Sequence, residues 1–132
     1  MIGILIISHC NVGKELINAA ELILGSVDLI DTISITQPIN SEKLLDMVSK
    51  KIKELDIGDG VLILTDMFGG TPCNISLPFL EKEKVEVLAG VNLPMLIAIA
   101  KNREGLSLEE LSRKAAQAGK KSITLAGDLL AT

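Results

Sequence analysis

Aromatic side chains are almost absent from this chain: Phe68 and Phe79 are the whole complement, with no tryptophan or tyrosine. A core must therefore be built from Ile, Leu, Val and Ala. Massed positive charge is also missing. Thirteen Lys and Arg stand against 17 Asp and Glu, for a net charge of −4, and the basic residues are scattered. Nucleic-acid binding rests on clustered phosphate contacts and is argued against on that ground. An acidic ligand held by backbone amides is not. Two cysteines, Cys10 and Cys73, are too few for a disulfide framework. No apolar run is long enough to cross a bilayer, so direct membrane insertion is not expected. Met1 leads almost directly into an apolar stretch, without a basic region or cleavable segment. The expectation is a cytosolic protein.

Histidine occurs once, as His9, where an apolar run ends in Ile-Ser-His-Cys-Asn. The 132 residues suit one domain, 1–132, large enough to bury a proper core. No repeat, low-complexity tract or linker interrupts them.

Strand-like and helix-like segments alternate along the chain. Ile2 to Ile7 reads as a buried strand, and Val12 to Leu24 has helical periodicity closed by Gly25. Ile30 to Thr36 is a second strand, followed by a helix from Asn40-Ser41 to about Leu55. Val61 to Leu64, uniformly apolar, is expected to be a central parallel strand. Thr71 and Pro72 read as an N-cap and first-turn pair opening a helix that Pro78 shortens. Val85 to Ala89 is a fourth strand, and a helix begins near Leu93. Ser107 with Glu110 predicts a capping box, and Gly119 the end of that helix. Ser122 to Leu125 is expected to form a last, short strand. The alternation predicts an α/β fold, a doubly wound, mainly parallel sheet with helices on both faces. Right-handed crossovers then place every strand-to-helix loop along one edge, where ligands bind such sheets.

His9 ends the first strand and Asp66 the third. If those strands are neighbours, the two side chains come within hydrogen-bonding reach. An imidazole attacks through one nitrogen only when the other carries the proton, and a carboxylate on Nδ1–H fixes that tautomer. The turn Gly69-Gly70-Thr71-Pro72 supplies a complementary half. Its glycines let backbone approach a ligand, and free N–H groups at the helix start favour anions. The Thr71 hydroxyl adds a donor. Phe68, on the same loop, is read as a partner contact. Histidine, carboxylate and amide-lined turn together describe a phosphoryl acceptor, since phosphoryl transfer asks mostly for positioning and charge stabilisation.

These residues resemble a known family. Gly-Ile-Leu-Ile-Ile-Ser-His near the start, Asp-Met-Phe-Gly-Gly-Thr-Pro-Cys-Asn in the middle and Ala89 to Leu96 are similar to the mannose-type enzyme IIA of the bacterial phosphoenolpyruvate-dependent sugar phosphotransferase system. The resemblance implies a phosphocarrier: His9 takes a phosphoryl group on Nε2 from the histidine phosphocarrier protein and passes it to a IIB histidine. Asp66 would hold Nδ1, while Gly69, Gly70 and Thr71 would steady the phosphoryl oxygens. It also implies a homodimer that exchanges the C-terminal strand, here Ser122 to Leu125. No metal or organic cofactor is implied. Two positions depart from the family: Cys10 stands where members often have glycine, and Phe68 where many have tryptophan. With no IIB segment after the last strand, the IIB partner is expected to be a separate polypeptide. The sugar itself is not encoded, because a IIA domain never touches it.

Other readings stay open beside this one. The phosphocarrier subunit of dihydroxyacetone kinase shares the fold and the histidine position, although the Gly-Gly-Thr-Pro-x-Asn block favours the sugar system. A free-standing IIA can also regulate other proteins without feeding a transporter. From a different class comes a zinc-binding domain using His9, Cys10, Asp66 and Cys73, which share the predicted edge but lack finger spacing. A Cys10–Cys73 disulfide is a further alternative, against the reduced state usual for cytosolic thiols. A receiver domain would want an acidic pair where Ser8-His9 stands. Gly13-Lys14 lacks the flanking residues of a nucleotide loop.

Overall fold

The computed structural model describes residues 1–131. Four strands form one all-parallel sheet: β1 (Gly3–His9), β2 (Ile30–Ile35), β3 (Val61–Thr65) and β4 (Val85–Ala89), in spatial order β2-β1-β3-β4. The period-2 alternation of strand side chains divides the core into two layers. Ile2, Ile4, Ile6, Leu62 and Leu64 face one side, against α1 (Val12–Leu24), α4 (Leu93–Asn102) and α5 (Leu108–Lys121). Leu5, Ile7, Ile33, Val61 and Ile63 face the other, against α2 (Ser41–Leu55) and Ile75 of α3 (Thr71–Ser76). Each fully buried Ile or Leu contributes about 1.5–3 kcal/mol, so aliphatic packing carries the stability that aromatics supply elsewhere.

Helix boundaries follow local chemistry. Asn40 caps α2 by accepting from the Glu42 and Lys43 amides, and Asn92 caps α4 by accepting from Met95. Ser107 and Glu110 form the expected capping box. α3 stops before Pro78, giving way to a 3₁₀ turn over Leu77–Phe79.

Three expectations need correction. Thr71 is the first helical residue rather than the N-cap, and Gly70 holds the cap position in extended backbone. Gly119 does not end α5, which runs on to Lys121. Gly119 is instead a contact glycine, since a β-carbon there would lie 2.8 Å from Met95 Cε. Ser122–Leu125 is not a strand. A strand needs a neighbouring ladder for its backbone groups, and within one chain this segment lies beside none. It leads into α6 (Ala126–Leu130), where the Asp128 and Leu129 amides donate to the Leu125 carbonyl.

Candidate active site

Strand order makes β1 and β3 direct neighbours, with Ile7 beside Thr65 in register. Ser8–His9 and Asp66 therefore leave the sheet together. Alternation along β1 sends Ser8 to the α1 side and His9 to the α3 side. The β4–α4 loop is tied to the same corner, because the Gly90 and Val91 amides both donate to the Thr65 carbonyl, at 2.9 and 3.0 Å.

The expected pairing is present. His9 Nδ1 lies 2.8 Å from Asp66 Oδ2, and that oxygen also accepts the His9 backbone N–H at 2.9 Å. Asp66 Oδ1 accepts from the Met67 amide at 3.1 Å. Burial pushes the Asp66 carboxyl upward, but the backbone and ring hydrogen bonds from His9 outweigh it and hold the group below the usual range. An ionised carboxylate only accepts, so the neutral ring carries its proton on Nδ1 and leaves the lone pair on Nε2. The His9 side chain is 46 % exposed and that of Asp66 only 15 %. The base of the pair is walled in and its imidazole is open to a partner.

The glycine turn packs against the ring. A β-carbon on Gly70 would stand 2.8 Å from His9 Cε1 and 3.4 Å from Nε2. Gly69 has φ +91°, which glycine adopts without strain. Asn74, to which sequence reading attached no role, fastens the turn from below: its amide donates to the Gly70 carbonyl and its side chain to the Gly69 carbonyl. Thr71 is exposed at the start of α3. Met67 and Phe68, 54 % and 76 % exposed, project from the same loop.

Two further residues shape the corner. Cys10 has φ +49°, the left-handed region that favours glycine, and its amide donates to the Ile35 carbonyl at 2.9 Å. Ser8 is fully buried, its hydroxyl placed between the Gly13 amide and the Cys10 carbonyl. The zinc set does not assemble: among the described residues no three His, Cys, Asp or Glu side chains come together to hold an ion. Asp66 is committed to His9. Both thiols are free, Cys10 exposed and Cys73 buried within α3, so the alternative disulfide is not formed.

The chain matches the family described as "PTS system fructose IIA component" over residues 3–116. It is 34 % identical over 124 residues to the PTS system mannose-specific EIIAB component of Escherichia coli, covering 92 % of this chain and 38 % of that protein. The chain thus spans well under half the length of that relative. It is 33 % identical over 109 residues to the PTS system sorbose-specific EIIA component of Lacticaseibacillus casei, covering 82 % of this chain and 78 % of that protein. Among solved structures, the phosphotransferase system component EIIA from Streptococcus agalactiae superposes with a TM-score of 0.87 at 26 % identity, over 97 % of this chain and 99 % of that one. The mannose/sorbose specific IIA subunit from Enterococcus faecalis gives 0.84 at 25 % identity, over 94 % and 93 %.

Proposed function

The chain belongs to the IIA components of the phosphoenolpyruvate-dependent sugar phosphotransferase system, and from that premise we propose that it carries a phosphoryl group on His9 Nε2. The observation that supports this reading most directly is the 2.8 Å contact between His9 Nδ1 and Asp66. The Nε2 lone pair attacks the phosphorus of a phosphohistidine on the histidine phosphocarrier protein. The donor's N–P bond breaks, its electron pair returns to the donor ring, and the phosphoryl group is left on Nε2. The Nδ1 proton stays in place, and the positive charge gained by the ring faces the ionised Asp66 carboxylate. Gly69, Gly70 and Thr71 meet the phosphoryl oxygens with backbone amides and a hydroxyl, and Phe68 contacts the partner. The reverse geometry delivers the group to a histidine of a IIB component.

Phosphoenolpyruvate, enzyme I and the histidine phosphocarrier protein should label the wild-type chain with acid-labile, base-stable phosphate. His9→Ala should take none, and added IIB should draw the label off. An unlabelled wild type beside active upstream proteins would overturn the reading.

The same reading includes a homodimer. Ile123, Leu125, Leu129 and Leu130 are 68–81 % exposed within one short tail, more apolar surface than a monomer usually leaves in one place. Light scattering should give a dimer mass for the wild-type chain and a smaller mass for Leu129→Asp.

A further inference from the structure

Helix α1 has no cap from its own N-cap side chain. Asn11 occupies the N-cap position, yet its side chain makes no capping hydrogen bond. The Ser8 hydroxyl takes over, accepting the Gly13 amide of the first turn at 2.9 Å. This is possible because Gly13 brings α1 down onto the sheet, where a β-carbon would stand 2.8 Å from Ile6 Cγ2. The same hydroxyl donates to the Cys10 carbonyl at 3.3 Å. Its single proton and a lone pair thus join the helix start to the carbonyl of Cys10, the residue that follows His9.

Cys10 is the residue in need of holding. A non-glycine residue at φ +49° is strained and persists only where its surroundings over-determine it. Cys10 is held on one side by its amide on the Ile35 carbonyl and on the other by Ser8. Released from Ser8, Cys10 relaxes toward negative φ. Strain no longer held at Cys10 would pass into the peptide between His9 and Cys10, which sets how the imidazole meets Asp66. Resting on the phosphocarrier reading, we propose that Ser8 is a positioning residue for phosphoryl transfer, keeping the His9 ring on Asp66 by locking the left-handed turn at Cys10.

The proposal predicts a compensation that a simple capping role does not. Glycine adopts the left-handed region freely, so Cys10→Gly should restore what Ser8→Ala loses. Four proteins decide it: wild type, Ser8→Ala, Cys10→Gly and the double variant. Each is read by ¹⁵N NMR of the His9 ring, by kcat and KM for accepting phosphate from the phosphorylated histidine phosphocarrier protein, and by thermal unfolding. Ser8→Ala should shift the ring spectrum away from the Nδ1–H tautomer and lower kcat roughly tenfold at constant KM, the effect of a small misplacement. The double variant should recover the wild-type tautomer and kcat to within about threefold, while its Tm stays low because α1 remains uncapped. Ser8→Ala with a wild-type ring spectrum and kcat, or a double variant as impaired as the single, overturns the proposal. If Ser8→Ala does not fold, Ser8→Cys, whose thiol is a poor donor and acceptor, is read in its place against the same criteria. A wild type that takes no phosphate would sink the carrier function, whereas the ring spectrum still decides the role of Ser8.

Discussion

The Gly70 backbone lies against the His9 imidazole, so close that a β-carbon at Gly70 would stand 2.8 Å from Cε1. Gly70 has ordinary negative φ, and alanine would suit its backbone. The requirement is purely the space the ring occupies. His9 is half exposed, so the ring can yield by swinging outward. Gly70→Ala should therefore cost little stability, under about 1 kcal/mol by the usual range for such surface changes. It should slow phosphoryl acceptance on the order of 10–100-fold, because the attacking nitrogen is misplaced. Paired Tm and stopped transfer assays check this, and a large Tm loss with normal transfer would contradict it.

Asp66→Asn keeps the shape of the pair and removes its charge. The amide oxygen can still accept from His9, but the cation formed on phosphorylation loses its counter-ion. Transfer should fall about 100-fold or more, in line with losing an orienting carboxylate. The depressed carboxyl also predicts a pH effect. The folded group binds its proton less readily than the unfolded one, so its stabilisation is complete above the ordinary Asp value, about 3.9. It is lost as pH falls from there through the lower folded value. Urea unfolding between neutral and acid pH should show this decline in wild type and a shallower one in Asp66→Asn.

Much of this was legible in the sequence because the signals are local. Uninterrupted Ile, Leu and Val runs named β1 and β3, interrupted apolar segments named β2 and β4, and Asn40 and the Ser107–Glu110 box announced their helices. The nearness of His9 and Asp66 was legible only on the condition that β1 and β3 are neighbours, which the strand order meets. The failures are those of non-local causes. Ser122–Leu125 has strand composition but no ladder beside it in one chain. Gly119 looks like a stop signal and is in fact a packing contact with Met95. Cys10 carries no residue-type signal for left-handed backbone, so the Ser8 hydroxyl that holds it had no visible reason to matter. Resemblance supplied one hint, since glycine is the frequent residue where Cys10 stands.

Arg103 locks the opposite edge of the sheet. It is 4 % exposed, and its guanidinium donates to the backbone carbonyls of Ile2, Leu29 and Asp28, at the starts of β1 and β2. Burial lowers its pKa, against the pull of Asp28 and Glu104, without approaching neutrality for a guanidinium. Arg103→Met fills similar space and leaves those carbonyls without a donor. Destabilisation of about 2–4 kcal/mol follows from losing charged hydrogen bonds and stranding their acceptors. Phosphoryl transfer per folded molecule should not change, since β1 carries His9 at its other end. A Tm within a degree of wild type would show that water replaces the guanidinium.

On the phosphocarrier reading, Phe68 separates docking from chemistry. Its ring is 76 % exposed on the loop that carries Asp66 and Gly70, and the following glycine has open space around it. Removing it takes nothing from the core, so Phe68→Ala should unfold at the wild-type Tm. An exposed aromatic on this loop is the type of side chain that dominates protein interfaces, where truncation typically costs about 1–2 kcal/mol of binding. The expected result is a KM for the phosphorylated donor raised roughly tenfold with kcat unchanged, the pattern of binding lost equally from ground and transition states. The same rise should appear for delivery to IIB if both partners approach His9 across this loop. A rise for only one of them would assign Phe68 to that partner, and unchanged KM for both would remove it from the docking surface.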